Sequence, residues 1–455
     1  MLEVILSTLM VSISGIRGVV GESLTPQVIS KYTLAFAAYL QGGLVVVGRD
    51  SRVSGPFVAN IVTGCLVASG CKVIDIGIVP TPTVQLAIEH HKAAGGIAIT
   101  ASHNPIQWNG LKFMGSDGRF LNPDKAGKVY KMADRNEQVL KTWEGIGVKE
   151  IDDQANQRHI QSVLKLSLID AEAIRAKKFK VVIDPVNGAG GLIIPQLCES
   201  LGCEVITING EANGKFAHTP EPLPENLTQL SEKVREVQAD VGFAVDPDVD
   251  RCAIVANTGK PIGEEYTLAI ATKLVFSKKM GRMAVNMSTS RASEDIAKYY
   301  NCMFVRSKVG EINVAEKMLE IDAIIGGEGN GGVILPELHL GRDAPVAVAL
   351  TLQYLMEFGG TMQELHASLP QYAMVKQKVN IEGMDPDKVL EKIVDKYKDY
   401  EINLLDGLKI DIKNSWIHLR KSNTEPIVRI ISEAPTLEEA EKLGQKFMAE
   451  IKSLI

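Results

Sequence analysis

The 455-residue chain is 45% hydrophobic and 23% charged, with 49 Lys and Arg against 55 Asp and Glu and a formal net charge of −6. At about 150 residues per domain the length suggests roughly three domains, each able to bury a core. Mild acidity without a run of five basic residues argues against nucleic acid as the main partner, and no 18-residue apolar run exists to span a membrane.

The N-terminal stretch MLEVILSTLMVSISGIRG carries Glu3, has no basic residue ahead of its apolar run and lacks a small-residue cleavage pattern. It reads as a strand rather than a signal peptide. Further on, short β-rich runs alternate with helix-length segments in three similar series, the mark of βαβ units and largely parallel sheets. The first series is LVVVGRDSR (44–52), GCKVIDIG (70–77) and GGIAITASHNP (95–105). The second is FKVVIDPVNGAGG (179–191), GCEVITING (202–210) and ADVGFAVDPDVDR (239–251). The third is RMAVNMSTSR (282–291), NCMFVRSKVG (301–310) and IDAIIGGEGNGG (321–332). Each third strand ends in a polar or glycine-rich loop. Ligands of open α/β sheets collect beyond the carboxyl ends of strands, so TASHNP, DPDVDR and GEGNGG are expected to face a common space.

After about residue 370 the texture changes. VKQKVNIEG, the helix-like DPDKVLEKIVDKY, the long GLKIDIKNSWIHLRKSNTEPIVRIISEA and a final LEEAEKLGQKFMAEIKSL predict a small α+β domain, with PQYAMVKQ (370–377) as the linker into it. Cys65, Cys71, Cys198, Cys203, Cys252 and Cys302 sit in apolar surroundings without metal-ligand spacing. They are expected to be reduced core residues in a cytoplasmic protein.

Four loops carry chemistry. In DPDVDR, Asp246, Asp248 and Asp250 stand at every second position. In an extended segment alternate side chains share a side, so three carboxylates converge and call for a divalent cation, with Mg²⁺ suited to all-oxygen ligation. Asp-Pro-Asp is also an ordinary turn sequence. In TASHNP, Ser102 precedes His103, Asn104 and Pro105 at a strand end, where backbone N–H groups favour an anion. No G-x-S-x-G surrounds a serine, so Ser102 needs a metal, a base or a phosphoryl group already in place; alone it is a turn serine. In GEGNGG, Glu328 and Asn330 can fork onto hydroxyls, as a sugar requires, although a plain glycine turn reads the same way. Finally, RKSNTEPIVRI gathers Arg420, Ser422, Asn423, Thr424 and Arg429, donors suited to enclosing a phosphate if they are not simply a hairpin.

Together, and in this order along the whole chain, these loops resemble those of the α-D-phosphohexomutases: phosphoglucomutases, phosphomannomutases and phosphoglucosamine mutases. The resemblance implies three related α/β domains with mixed, largely parallel sheets plus a smaller C-terminal α+β domain, heart-shaped around one cleft. The boundaries expected are 1–150, 151–255, 256–370 and 371–455. It makes Ser102 a phosphoserine that donates and recovers the phosphoryl group. Asp246, Asp248 and Asp250, with a phosphate oxygen on Ser102, would hold Mg²⁺. Glu328 and Asn330 would read the sugar hydroxyls, and Arg420, Ser422, Asn423, Thr424 and Arg429 the phosphate that is not transferred. Arg17 in SGIRG matches as charge stabiliser and Lys112 in NGLK as acid–base candidate. His103, Arg251 and Lys308 are further substrate contacts, with His218 and His339 weaker ones.

The implied reaction is a reversible double phosphoryl transfer between hexose 6-phosphate and hexose 1-phosphate through a hexose 1,6-bisphosphate, which also serves as activator. Because the last domain must hold either end of that intermediate, it is expected to move about the segment near 370. The sugar loop lacks the Ser and His of the bacterial glucosamine branch and looks closer to archaeal-type and mixed-specificity members. Phosphoglucosamine mutase is the first choice and phosphomannomutase/phosphoglucomutase the alternative. A non-catalytic sugar-phosphate sensor would keep the RKSNTEP cradle but has no need of Ser102 together with three aspartates, and a simple phosphatase would release inorganic phosphate.

Overall fold

The computed structural model describes residues 8–381, 385–421 and 427–454. The chain forms two compact units: residues up to Ala271 with Gly331–His366, and Thr272–Asn330 with the residues from Ala367 on.

The first unit holds two sheets. One has seven strands in the order Met10–Ser12, Gly15–Val19, Trp108–Gly115, Gly95–Ile99, Leu44–Arg49, Lys72–Ile78, Lys149–Ile151. Its centre is parallel, and Gly95–Ile99 hands over to an antiparallel return strand at Trp108–Gly115. Val45, Val46 and Val47 are buried, as expected of a strand covered on both faces. Helices Pro26–Leu40 and Gly55–Ala68 lie side by side, and Phe36 meets Phe113 with ring centroids 4.8 Å apart. Thr25 caps the first of these helices by accepting the Val28 amide, and Pro26 opens it with no N–H of its own to satisfy. The other sheet runs Cys252–Ala256, Val241–Val245, Lys180–Asp184, Glu204–Thr207.

In the second unit, Arg282–Asn286 is flanked in parallel by Met303–Ser307 and Ile325–Glu328. A five-stranded antiparallel sheet follows, in the order Ala373–Asn380, Ile427–Ala434, Ser415–Lys421, Leu408–Ile412, Glu401–Asn403. Helices Pro386–Lys396 and Leu437–Ser453 close its core, the latter opened by a reciprocal capping box between Thr436 and Glu439.

All three strand–helix–strand series place the first strand in the middle, the second on one side and the third on the other. The four-part α/β plus α+β architecture read from the sequence is therefore present. Each third strand ends in the loop singled out above, at Thr100–Pro105, Asp246–Arg251 and Gly329–Asn330. Among the described residues no helix is long and apolar enough to cross a membrane.

Candidate active site

In the first unit two of the three loops meet. Ser102 Oγ donates to Asp246 Oδ2 at 3.1 Å across 144 residues of sequence. Ser102 is 2% exposed and sits at φ +50°, a left-handed backbone that a non-glycine residue holds only when its surroundings impose it.

Those surroundings are Arg52 and Asp50, in the loop after Leu44–Arg49. The Arg52 side chain is fully buried. Its Nη2 donates to the carbonyls of Ser102 (2.6 Å) and Asn104 (2.7 Å), its Nη1 to those of Pro105 (2.8 Å) and Trp108 (2.9 Å), and its Nε to Asp50 Oδ2 (3.1 Å). One guanidinium thus fastens four carbonyls of the serine loop. The Thr100 hydroxyl donates to Asp50 at 2.6 Å and accepts the Ser102 amide at 2.9 Å, closing the bracket.

The three aspartates converge, but not through an extended segment. The strand stops at Val245, and the chain turns: the Val249 amide donates to the Asp246 carbonyl at 3.0 Å, with Val249 at φ +61°. Pro247 has no N–H to continue a ladder, which explains why alternation fails here. The amides of Asp250 and Arg251 donate to Asp246 Oδ1 at 3.1 and 3.2 Å, so the turn curls around one carboxylate.

The ligand oxygens of Asp246, Asp248 and Asp250 lie within 4.8 Å of one another. Burial and the charges of Asp250 and Asp248 push the Asp246 carboxyl well above the usual range. Asp248 goes the other way: burial opposes ionisation, but Lys112 Nζ at 2.7 Å and the Thr81 hydroxyl at 2.7 Å outweigh it. Asp248 Oδ1 and Asp250 Oδ1 are buried without a hydrogen-bond partner. Two orphaned carboxylate oxygens in an all-oxygen cluster beside the serine hydroxyl fit a hard divalent cation such as Mg²⁺.

Cations surround the triplet. Lys112, on the return strand, is 2% exposed and also approaches Asp250 Oδ2 at 3.6 Å. Arg342 Nη2 donates to the same oxygen at 2.5 Å. Arg17 donates to Asn104 Oδ1 at 3.2 Å; its burial and the nearby Arg251 and Arg342 lower its pKa against the pull of Asp248 and Asp250. Arg251 leans on Glu221 at 3.5 Å and leaves its Nε buried without a hydrogen-bond partner. His103 Nδ1 lies 3.4 Å from Ser102 Oγ, and burial, reinforced by Arg251 and Arg17, pushes its pKa down to about 2, so the ring is neutral.

The second unit holds the remaining residues. Glu328 is 3% exposed and its Oε1 accepts from Asn286 Nδ2 at 2.8 Å and the Gly310 amide at 2.9 Å. Asn330 Oδ1 is buried without a partner, and Lys308 is exposed. Arg420 and Arg429 are directly opposite on paired strands, and Lys378 is opposite Arg429 on the next, a basic row across three strands. Like charges set opposite one another destabilise a sheet unless an anion joins them. Ser422, Asn423 and Thr424 lie outside the described residues.

The two weaker histidine candidates have structural partners. His218 Nε2 meets Asp184 Oδ2 at 3.0 Å. His339 Nε2 meets Asp343 Oδ2 at 2.9 Å, beside His159 at 2.8 Å, and Asp343 caps the helix Ala344–Phe358. Sequence reasoning missed Arg52, Asp50, Thr81, Thr100 and Arg342. The first two follow the first strand of their series, so the rule that ligands gather at strand ends would have reached them had it been applied to every strand.

Known proteins resemble the chain over nearly its whole length. The chain matches the models for phosphoglucomutase/phosphomannomutase alpha/beta/alpha domain I over residues 9–140, domain II over 157–259 and domain III over 262–372, and the C-terminal domain over 377–450. It is 37% identical to a "Phosphoglucomutase/phosphomannomutase" of Thermococcus kodakarensis over 448 residues, covering 96% of this chain and 97% of the relative. It is 34% identical to a "Probable phosphoglucosamine mutase" of Methanopyrus kandleri, covering 96% of each. A crystal structure of a phosphoglucomutase/phosphomannomutase family protein from Burkholderia thailandensis superposes with a TM-score of 0.85 at 26% identity, over 98% of both chains. The chain belongs to the phosphoglucomutase/phosphomannomutase family of phosphohexomutases, enzymes of the isomerase, phosphotransferase type.

Proposed function

We propose that the protein interconverts glucosamine 6-phosphate and glucosamine 1-phosphate, with phospho-Ser102 as donor and a hexose 1,6-bisphosphate as intermediate and activator. The observation that carries this reading is the contact of Ser102 Oγ with Asp246 at 3.1 Å inside a buried three-carboxylate cluster. A phosphoryl carrier needs a cation and a rigid loop beside its hydroxyl, and the three carboxylates and the Arg52 bracket suit both.

In the forward step a free sugar hydroxyl attacks phospho-Ser102. A phosphorus–oxygen bond to the sugar forms, the bond to Ser102 Oγ breaks, and the hydroxyl proton ends on Oγ. The second half reverses this with the other phosphate, restoring phospho-Ser102. Mg²⁺ held by Asp246, Asp248 and Asp250 would neutralise charge on the transferring group. Arg17, beside Asn104 in the serine loop, and Arg251 stabilise that charge, and Lys112 Nζ is the acid–base candidate, oriented by Asp248. Positioning and charge neutralisation supply most of the rate in phosphoryl transfer. Glu328 and Asn330 read the sugar, and Arg420 and Arg429 grip the phosphate that stays.

The amino sugar is favoured because Asn330 Oδ1, buried without a hydrogen-bond partner, offers an acceptor suited to an ammonium group. The name of the Thermococcus relative supports a second reading, glucose or mannose phosphates. Intact mass and peptide mapping before and after exposure to a hexose 1,6-bisphosphate test the cycle: one phosphoryl group gained on Ser102 is expected, and no gain there breaks it. Initial rates on the glucosamine, glucose and mannose 6-phosphates then rank the substrates. Inorganic phosphate in place of isomer would make the protein a phosphatase.

A further inference from the structure

Between the phosphate-gripping arginine and the sugar-reading glutamate of the second unit stands a carboxylate with no role in the chemistry above. Asp406 lies in the turn between strands Glu401–Asn403 and Leu408–Ile412. Its Oδ1 accepts from Arg420 Nε at 3.1 Å. Its Oδ2 accepts the Val309 amide at 2.8 Å, across 97 residues of sequence. The next amide, Gly310, donates to Glu328 Oε1 at 2.9 Å. Two consecutive backbone N–H groups therefore hold two carboxylates, one fixed to the arginine and one facing the sugar.

Two features make this a built arrangement. A guanidinium has five N–H groups. Engaging Arg420 through Nε leaves both terminal NH₂ groups as the planar fork that suits a phosphate. The turn is also pinned from behind. His418 Nε2 lies 2.6 Å from the Asp406 carbonyl, with His418 Nδ1 2.9 Å from Ser288 Oγ. Gly407 follows at φ +80°, and a Cβ there would stand 2.3 Å from the Leu419 carbonyl oxygen. The main chain on which Asp406 stands is thus held at its carbonyl and at the next residue.

We propose that Asp406 is a positioning residue: by bridging Arg420 and the 308–310 loop, it fixes the span between the phosphate grip and Glu328, and so the hold on the bisphosphate while the two ends exchange. This rests on the function proposed above. Without the bridge, Arg420 keeps its charge but loses its aim, and the bisphosphate escapes more often between the two half-reactions.

The test is the pair of substitutions D406N and R420Q, singly and together, in the full-length protein with Mg²⁺ and an added hexose 1,6-bisphosphate. Asparagine preserves the shape and an acceptor for Val309, but removes the charge that faces Arg420. D406N is expected to raise KM, and the bisphosphate concentration for half-maximal activation, by about tenfold, with kcat reduced by less than about threefold. In the R420Q background D406N should add less than about twofold, because Asp406 acts through Arg420. Wild-type KM and activator dependence in D406N, or effects that multiply fully in the double variant, would overturn the proposal. So would a loss confined to kcat. Thermal unfolding of all three variants shows whether they are folded, and the R420Q comparison reads the coupling even if D406N lowers stability. If the wild-type protein isomerises no hexose phosphate, the underlying function falls and takes this role with it, a result distinct from an active wild type with an indifferent D406N.

Discussion

Arg52 offers the sharpest test of how the serine loop is held. Its five N–H donors meet five acceptors: four main-chain carbonyls of residues 102–108 and the Asp50 carboxylate. Lysine keeps the charge but has three N–H groups, so R52K leaves at least two of those acceptors without their donor. Each buried acceptor so stranded costs about 1–3 kcal/mol, or about 2–6 kcal/mol together. Ser102 stands in a left-handed conformation that the carbonyl contacts hold, so the relaxation falls on the reacting oxygen itself. At about 1.4 kcal/mol per factor of ten, R52K should lower kcat/KM at least about 30-fold. Ser102 should also accept a phosphoryl group from hexose 1,6-bisphosphate correspondingly slowly. The assay is steady-state isomerisation alongside single-turnover phosphorylation, with near-UV circular dichroism to establish that the fold persists. R52M would be uninformative, because it leaves Asp50 buried without its counter-charge, a loss of about 3–5 kcal/mol. An R52K protein within threefold of wild type, with an unchanged Tm, would refute the reasoning.

Further outcomes follow from the same contacts. Chelation should abolish activity, and Mg²⁺ at about 100 times its Kd should stabilise the metal-free protein by about 2.7 kcal/mol; the rise in Tm should vanish in D250N, and a Tm indifferent to Mg²⁺ in wild type would count against the cation site. His418 is fully buried, and burial pushes its pKa down to about 4. Because the unfolded ring titrates near 6.5, the unfolded chain binds the extra proton first, so the share of stability due to His418 falls by about 3 kcal/mol as pH drops from about 6.5 to about 4; H418Q should make that acid slope of Tm shallower, and an identical slope in wild type and variant would contradict it.

The fold was legible because hydrophobic runs and loop residues recur in one order: nine of the strands named from sequence fall at Leu44–Arg49, Lys72–Ile78, Gly95–Ile99 and their counterparts in the next two series. The antiparallel return strand Trp108–Gly115 was not anticipated, although NGLK was singled out for Lys112 within it. What the sequence concealed has physical causes. Arg52 acts on main-chain carbonyls, which every residue has, so no side-chain pattern announces its partners. The aspartate triplet was found by its spacing yet with the wrong backbone, because the turn depends on Val249 in a left-handed conformation that β-branched residues disfavour. His339 was a weaker candidate by the family resemblance, and its Nε2 contact with Asp343 in the interior is one that sequence does not reveal. Asp406 was hidden because its two partners are 14 and 97 residues away.

Each unit contains a charge arrangement that is unfavourable alone. The first buries three carboxylates within 4.8 Å of one another, raising the proton affinity of Asp246. The second sets Arg420, Arg429 and Lys378 in one row across a sheet. Core packing does not require either; a sequence selected for stability alone would replace them at little loss to the hydrophobic interior. Both would be relieved by ligands of opposite charge, a divalent cation in one case and a phosphate in the other. If Arg420 grips phosphate as proposed, Asp406, which answers part of its charge, would preorganise that site without neutralising it and so let it release what it binds. That balance suits an intermediate that must be gripped at one end, let go and gripped at the other. A site satisfied by its own protein would bind the bisphosphate too weakly to retain it, and one with no internal counter-charge would bind either end too tightly to exchange them.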